Sequence, residues 1–307
     1  MKSVRIHGFN QPPVIDDVPV PEIGPGEVLV RVQASALNPL DIHMMSGYAA
    51  QFFPITFPYA LGTDFAGVIA KAGNAVADFK PGDAVIVWAD PLTSGGLSEY
   101  AVVPAKHCVP LPAALSESEG ATIPTAGSTA WHALFTVGRL KAGESVLIHA
   151  AAGGVGTFAV QFAKSAGARV LATSSGEGVD LVRSLGADEV VDYKREDFSA
   201  VFSGVDLVFD PVGGATQARS YPLLKQGGRL VTLTLPPDEK MAKAHGVSAS
   251  VMYVGPYAHR LREVVDAVVR DGVKIVFDQT TPFEAFSKAL ERQKSGRARG
   301  KIVLSQS

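Results

Sequence analysis

VLIHAAAGGVGT, Val146 to Thr157, is an apolar run that breaks into glycines and then resumes with a helical pattern. Set against G-x-G-x-x-G, the turn reads Ala151-x-Gly153-x-x-Gly156. In that pattern Gly153 lets the backbone approach a pyrophosphate, and Gly156 lets the helix pack closely on the strand. Alanine in the first position requires the turn to keep a negative φ there. Gly154, Val155 and Gly156 then open a helix, whose free N–H groups and positive dipole end would hold phosphates. The plain alternative is a glycine-rich turn that binds nothing. Context favours a dinucleotide, because the turn follows the first strand of an alternating series and opens its first helix.

That series runs outward from the turn. Strand 145–150 leads to helix 154–166, strand 169–173, helix 177–185 and strand 189–191. It continues with strand 206–210, a helix through Leu224, and strands 228–233 and 250–254. Strand followed by helix, repeated, implies a parallel sheet covered on both faces. Before it, Ser116 and Glu119 form an S-x-x-E capping box, and 124–137 reads as a second helix. After it, 257–270 is a helix with apolar Leu261, Val264, Val265, Val268 and Val269, and GKIVL at the tail is strand-like.

The first 115 residues read differently, as a strand-rich domain with few helices. In EVLVRVQASAL, Glu27 to Leu37, apolar Val28, Val30 and Val32 alternate with Leu29, Arg31 and Gln33, the period of a half-buried strand. AGVIAKAG, DAVIVW and LSEYAVVP follow, separated by turns such as Gly73-Asn74 and Pro81-Gly82-Asp83. The fold class is therefore α/β, with a β-rich domain beside a doubly wound parallel sheet.

Which dinucleotide binds depends on the end of the second strand, roughly 20 residues past the glycines, where an acid would bond the ribose 2′-hydroxyl of NAD. Ser174 stands there, leaving room for a 2′-phosphate. Arg183, Lys194 and Arg195 are candidates for its countercharge, and each is equally a solvated surface charge.

Composition narrows the function classes. The chain has 28 basic and 30 acidic side chains and a net charge of −2, with no run of like charge beyond Arg297 to Lys301. Electrostatics alone draws it to neither nucleic acid nor a membrane. Segments 120–138 and 146–163 lack charge, but Pro124 in one and three glycines in the other mark them as buried soluble segments. Cys108 is the only cysteine, which excludes an intramolecular disulfide and a thiolate metal cluster. The start, MKSVRIHGFNQPP, has no signal-peptide core, and a cytoplasmic protein is expected.

ALNPLDIHMMSGY (36–48), LGTDFAGVI (61–69), FKPGDAVIV (79–87), GGLSEYAVVP (95–104), GSTAWHALF (127–135), HAAAGGVGTFAVQFAK (149–164), SLGADEVVDY (184–193) and RGKIVL (299–304) occur in an order that resembles the zinc-independent medium-chain dehydrogenase/reductases, in particular quinone oxidoreductases and alkenal/enone reductases. The resemblance covers essentially the whole chain. It implies a GroES-like catalytic domain (1–115), a Rossmann NADP-binding domain (116–255), and a C-terminal return (256–307) completing the first, with the active site in the cleft. Carried over by motif, Asn38, Asp41 and Thr129 would lie around nicotinamide and substrate, and Gly153, Gly154, Val155 and Gly156 around the pyrophosphate. Ser174, Ser175 and Tyr193 would lie near the adenosine and its phosphate, and Val212, Leu233 and Val254 would follow the sheet ends toward the nicotinamide. The chain departs from the family at Gly178, near where a lysine often stands, and at His43, the lysine position of N-P-x-D-x-K. A homodimer, paired through the last Rossmann strand near 250–254, is implied as well.

Zinc-dependent relatives bind the metal through Cys and His. Here those positions read Asn38, Thr63 followed by Asp64, and Thr125, and the four-cysteine loop is missing, so no metal is expected. Without a Lewis acid, reducing a conjugated acceptor is easier than oxidising an alcohol. The expected reaction is hydride transfer from NADPH to a quinone or α,β-unsaturated carbonyl, with Asn38, His43 and Tyr48 as donors to the developing oxyanion. The alternatives are an enoyl-thioester reductase, a zinc-free alcohol dehydrogenase, and a non-enzymatic NADPH-binding sensor or crystallin-like protein.

Overall fold

A computed structural model describes residues 1–93, 95–234, 236–253, 255 and 258–306, with backbone only at Ala258 and His259. The chain forms two compact units, one of Met1–Thr125, Gly255–Val269 and Phe277–Ser307, the other of Ala126–Val254 and Arg270–Val276.

The second unit carries six parallel strands in the spatial order Glu189–Asp192, Arg169–Ser174, Ser145–Ile148, Val205–Asp210, Leu224–Thr232, Ser248–Val251. Numbered along the chain this is 3-2-1-4-5-6, the order of the doubly wound dinucleotide-binding sheet. The two central strands are mostly apolar and almost wholly buried, as a strand covered on both faces must be. Two elements differ from the sequence reading. The helix expected through Leu224 stops at Ser220, where Pro222 cannot donate to a continuing ladder, and Leu224 opens the next strand. The last strand is Ser248–Val251 instead of 250–254, and Val254 lies outside the described residues.

Helix Gly154–Ser165 buries Phe158, Ala159, Phe162 and Ala163, with the Phe162 ring edge-on to Trp131 at 5.1 Å. His149, at the end of the first strand, is buried between the hydroxyls of Thr173 and Ser220, both at 2.9 Å. Burial pulls its pKa down to about 4, so it is a neutral linker of two strands and a helix. The run from Ile123 to Val137 is helical as expected, but widened at Ile123–Gly127 and His132–Val137; Gly138 N–H bonds back five residues to Ala133 O at 3.0 Å.

In the first unit the hub is strand Glu27–Ala36, which pairs antiparallel with Asp64–Ala72, Tyr100–Pro104 and the tail strand Lys301–Ser305. Alternation is incomplete here, since Leu29 is as buried as its neighbours Val28 and Val30. Partners on both edges and cover on both faces leave Arg31 as the strand's one exposed residue. Val28, Val30 and Val32 pack with Phe65, Val85, Val87 and Cys108, each contributing about 1.5–3 kcal/mol by leaving water. Burial pushes the Cys108 thiol up to about 12. A second core joins Val4, Ile6, Leu37, Met44, Leu290, Ile302 and Leu304. Helix Ala258–Arg270 buries Leu261, Val264, Val265 and Val268 as read, whereas Val269, one residue from the helix end, is 39% exposed.

Candidate active site

In the second unit, the candidate residues collect at the carboxyl ends of the parallel strands. The strand Ser145–Ile148 ends in a turn pinned by Ala151 N–H to Thr173 O at 3.1 Å and Gly153 N–H to Ala150 O at 3.0 Å. Ala151 stays out of the positive-φ region, as an alanine there requires, and the left-handed residue of this turn is its neighbour Ala150, with φ 49°. Alanine holds that conformation at a cost of about 1–2 kcal/mol. A Cβ on Gly156 would lie 2.5 Å from Ala150 O and 2.6 Å from Ala151 Cα, so helix and strand pack closer than any side chain allows. Gly153 is different. A Cβ there would meet only Ala150 O, at 3.3 Å, so protein packing does not demand the glycine. The space it leaves, at the cap of a helix whose first N–H groups lack intrahelical partners, fits a pyrophosphate.

Ser174 ends the neighbouring strand, is 4% exposed and sits in register with Asp192. A side chain at Gly178 would strike Ser174 Oγ at 2.5 Å, which explains the glycine. Ser175 Oγ lies 3.3 Å from Tyr193 OH, and Gly176 N–H donates to Asp192 at 3.2 Å. Among the candidate cations, Arg183 pairs with Asp180 at 3.2 Å and Arg195 approaches Asp192 at 3.7 Å, while Lys194 is exposed. Val212 and Leu233 flank the ends of two further strands. Both are held by Asp210, whose side chain accepts Val212 N–H at 2.9 Å and whose carbonyl accepts Leu233 N–H at 3.2 Å. Thr129 lies in the helical run, 8% exposed.

In the first unit, Asn38 caps helix Pro39–Ser46, and its backbone N–H donates to Asp41 at 2.8 Å. Both residues are 2% exposed. The Asn38 amide oxygen accepts a hydrogen bond from Lys301 Nζ at 2.5 Å, and the same ammonium donates to Leu37 O at 2.8 Å. Asn38 Nδ2 is buried with no partner among the described residues. Asp64, wholly buried, accepts Thr125 N–H at 2.9 Å and the hydroxyls of Thr125 at 2.7 Å and Thr63 at 3.1 Å. Desolvation is the largest influence on Asp41 and raises it to about 6, with backbone donors and Lys301 pulling the other way and Asp64 adding to the rise. Lys301 is lowered by burial against the attraction of Asp64 and Asp41. In the sequence Lys301 belongs to the short basic run Arg297–Lys301 and to a strand-like tail; the structure buries it at the centre of this cluster.

His43 and Tyr48 lie at the other end of the helix, exposed, with ring centroids 5.0 Å apart. Partial burial lowers the His43 pKa, favouring the neutral ring. Gly47 turns the chain between them with φ 76°.

The chain matches the family model described as alcohol dehydrogenase GroES-like domain over residues 24–113, and that described as zinc-binding dehydrogenase over 185–304. It is 34% identical over 323 residues to the human NAD(P)H oxidoreductase RTN4IP1, mitochondrial, covering 91% of this chain and 82% of that one. It is 34% identical over 303 residues to the chloroplast envelope quinone oxidoreductase homolog of Arabidopsis thaliana, covering 94% and 92%. Escherichia coli quinone oxidoreductase, solved in complex with NADPH, superposes with a TM-score of 0.90 at 25% identity, over 99% of this chain and 100% of that one. The chain belongs to the medium-chain dehydrogenase/reductase superfamily, among the quinone oxidoreductases.

Zinc, which one family description implies, does not fit these residues. Amide and hydroxyl groups occupy the positions of the metal ligands, and the ammonium of Lys301 already holds the amide oxygen of Asn38. Among the described residues no group of three or more His, Cys, Asp or Glu is arranged to hold a metal ion.

Proposed function

We propose that the protein is an NADPH-dependent oxidoreductase that passes hydride to a quinone or an α,β-unsaturated carbonyl without a metal. The observation that carries this reading is the Asn38 amide, a buried donor with no partner beside a buried ammonium. A hydride acceptor gains negative charge on its carbonyl oxygen, and a preorganised donor stabilises that charge as it forms.

Bound NADPH supplies the hydride. The N–H groups at Gly154, Val155 and Gly156 hold its pyrophosphate, with Gly153 leaving room for it. Ser174, Ser175 and Tyr193 bind the adenosine end, and the exposed Arg195 and Lys194 supply countercharge to the 2′-phosphate. Val212 and Leu233 flank the nicotinamide. Asn38 Nδ2 donates to the acceptor oxygen, Asp41 holds the Asn38 backbone in place, and neutral His43 and Tyr48 complete the donor set, with Thr129 against nicotinamide and substrate. The protein acts in the cytoplasm as a homodimer. The dimer pairs through strand Ser248–Val251, the outer strand of its sheet, where Val251 is 47% exposed.

The test is oxidation of NADPH and of NADH, followed by nicotinamide absorbance, with an ortho-quinone, a para-quinone, a vinyl ketone and an enal, each with and without a chelator. Chelator-insensitive turnover with a preference for NADPH is expected. Turnover abolished by the chelator, or tight NADPH binding with no turnover of any acceptor, would overturn the reading.

A further inference from the structure

Lys301 has no part in the family-derived site set, yet it is buried and bonded to the donor that the proposed reaction depends on. We infer that Lys301 is a positioning residue. It locks the Asn38 carboxamide in the one orientation that leaves the amide N–H groups for the acceptor oxygen.

The argument is one of donors and acceptors. Lys301 Nζ donates to the Asn38 amide oxygen, so the NH2 group of the carboxamide is turned the other way. That NH2 group is buried and unpartnered, an arrangement costing about 1–3 kcal/mol, which a freely rotating side chain would relieve. Three contacts prevent rotation or withdrawal. Lys301 Nζ also bonds Leu37 O, the residue before Asn38. The strand bearing Lys301 pairs antiparallel with Ala34–Ala36, and Leu37 N–H continues the pairing to Ile302 O at 2.9 Å. Asp41 holds the Asn38 backbone N–H from within the helix. Asp41 and Asp64 both attract the Lys301 amine, which offsets part of the cost of burying it.

The inference rests on the reading of Asn38 as donor to the acceptor, and the wild-type enzyme is the control for that reading. If wild type does not reduce any acceptor, the proposed function fails; the present inference is judged on variants of an active enzyme. The experiment is a double-mutant cycle with Lys301→Met and Asn38→Asp, assayed with NADPH and a para-quinone. Asn38→Asp keeps an oxygen toward Lys301 and removes the donor. Lys301→Met is expected to lower kcat about 10- to 100-fold, with the NADPH Kd, read by fluorescence titration, within about twofold of wild type. In the Asn38→Asp background the same change should lower kcat little further, because Lys301 acts through that amide. Where Lys301→Met alone fails to fold, the cycle is run in an Asp41→Asn background, in which one of the stranded negative charges is gone. Unchanged kcat in Lys301→Met, or losses that multiply in the double variant, would overturn the inference.

Discussion

The turn at Gly153–Gly156 works by what its residues lack, and the cluster around Asn38 by what its residues carry. The turn spans a few consecutive residues and presents backbone, with space where side chains would be. The cluster gathers Asn38, Asp41, Asp64, Thr125 and Lys301, and its central hydrogen bond joins positions 263 apart in the chain. In the proposed function phosphate is a constant ligand, for which a helix start and one open glycine suffice. A developing oxyanion needs one donor aimed at one point, and aiming takes contacts from several strands.

The largest effect should come from filling the turn. Gly156→Ala places a methyl group within 2.6 Å of backbone, and the fold should lose about 3 kcal/mol in urea denaturation, together with most NADPH affinity. Gly153→Ala should change stability by no more than about 1 kcal/mol, within reach of its helix cap, yet weaken NADPH at least about tenfold by filling ligand space. Equal losses of stability in the two variants would break the distinction between a glycine kept for packing and one kept for a ligand.

Asn38→Ala should lower kcat by about 10²-fold, as loss of a single oxyanion donor does. NADPH binding, measured by fluorescence, should stay near the wild-type value. A matching loss of cofactor affinity would show that the cluster and the turn do not divide the work in this way.

Asp41 gives a pH test. Its folded pKa of about 6 lies above its ordinary value of 3.8, so the folded protein holds the proton more tightly than the unfolded chain. The stability this confers is complete below the unfolded pKa and lost as pH rises through about 6, a swing of about 3 kcal/mol at most. Comparing denaturation at pH 4 and pH 7, wild type should lose more stability than Asp41→Asn over that interval. An identical pH dependence in the two proteins would place the Asp41 proton elsewhere. Smallest of all, Ala150→Gly should relieve the left-handed alanine and raise stability by less than about 1 kcal/mol, the gain being trimmed by the greater freedom of glycine in the unfolded chain.

The same contrast explains what the sequence disclosed. The alternating strands and helices of the second unit were legible because each is written in consecutive residues, as was the Ser116–Glu119 capping box, observed with Ser116 N–H donating to Glu119 at 2.8 Å. Helix Phe286–Lys294 escaped notice because its buried face is only Phe286, Ala289 and Leu290 in a charged segment. Strands Lys2–Ile6 and Val14–Asp17 lack alternation, and gain their place by pairing with each other. Lys301 was hidden for a deeper reason. In Arg297-Ala-Arg-Gly-Lys301 it looks like any solvated base, and only the pairing of its strand with Ala34–Ala36 carries it inside. The single local hint is the apolar IVL that follows it. Ala150 shows the same limit on a smaller scale, since nothing in three successive alanines says which one takes the positive φ.

Quinones and enones are electrophiles, and the first casualty in a protein that meets them is an accessible thiolate, which they arylate or alkylate. This chain has one sulfhydryl, 3% exposed and protonated far above neutral pH. A catalyst so built is not consumed by its own reactants: after long incubation with excess benzoquinone its intact mass should carry no thiol adduct until the fold opens.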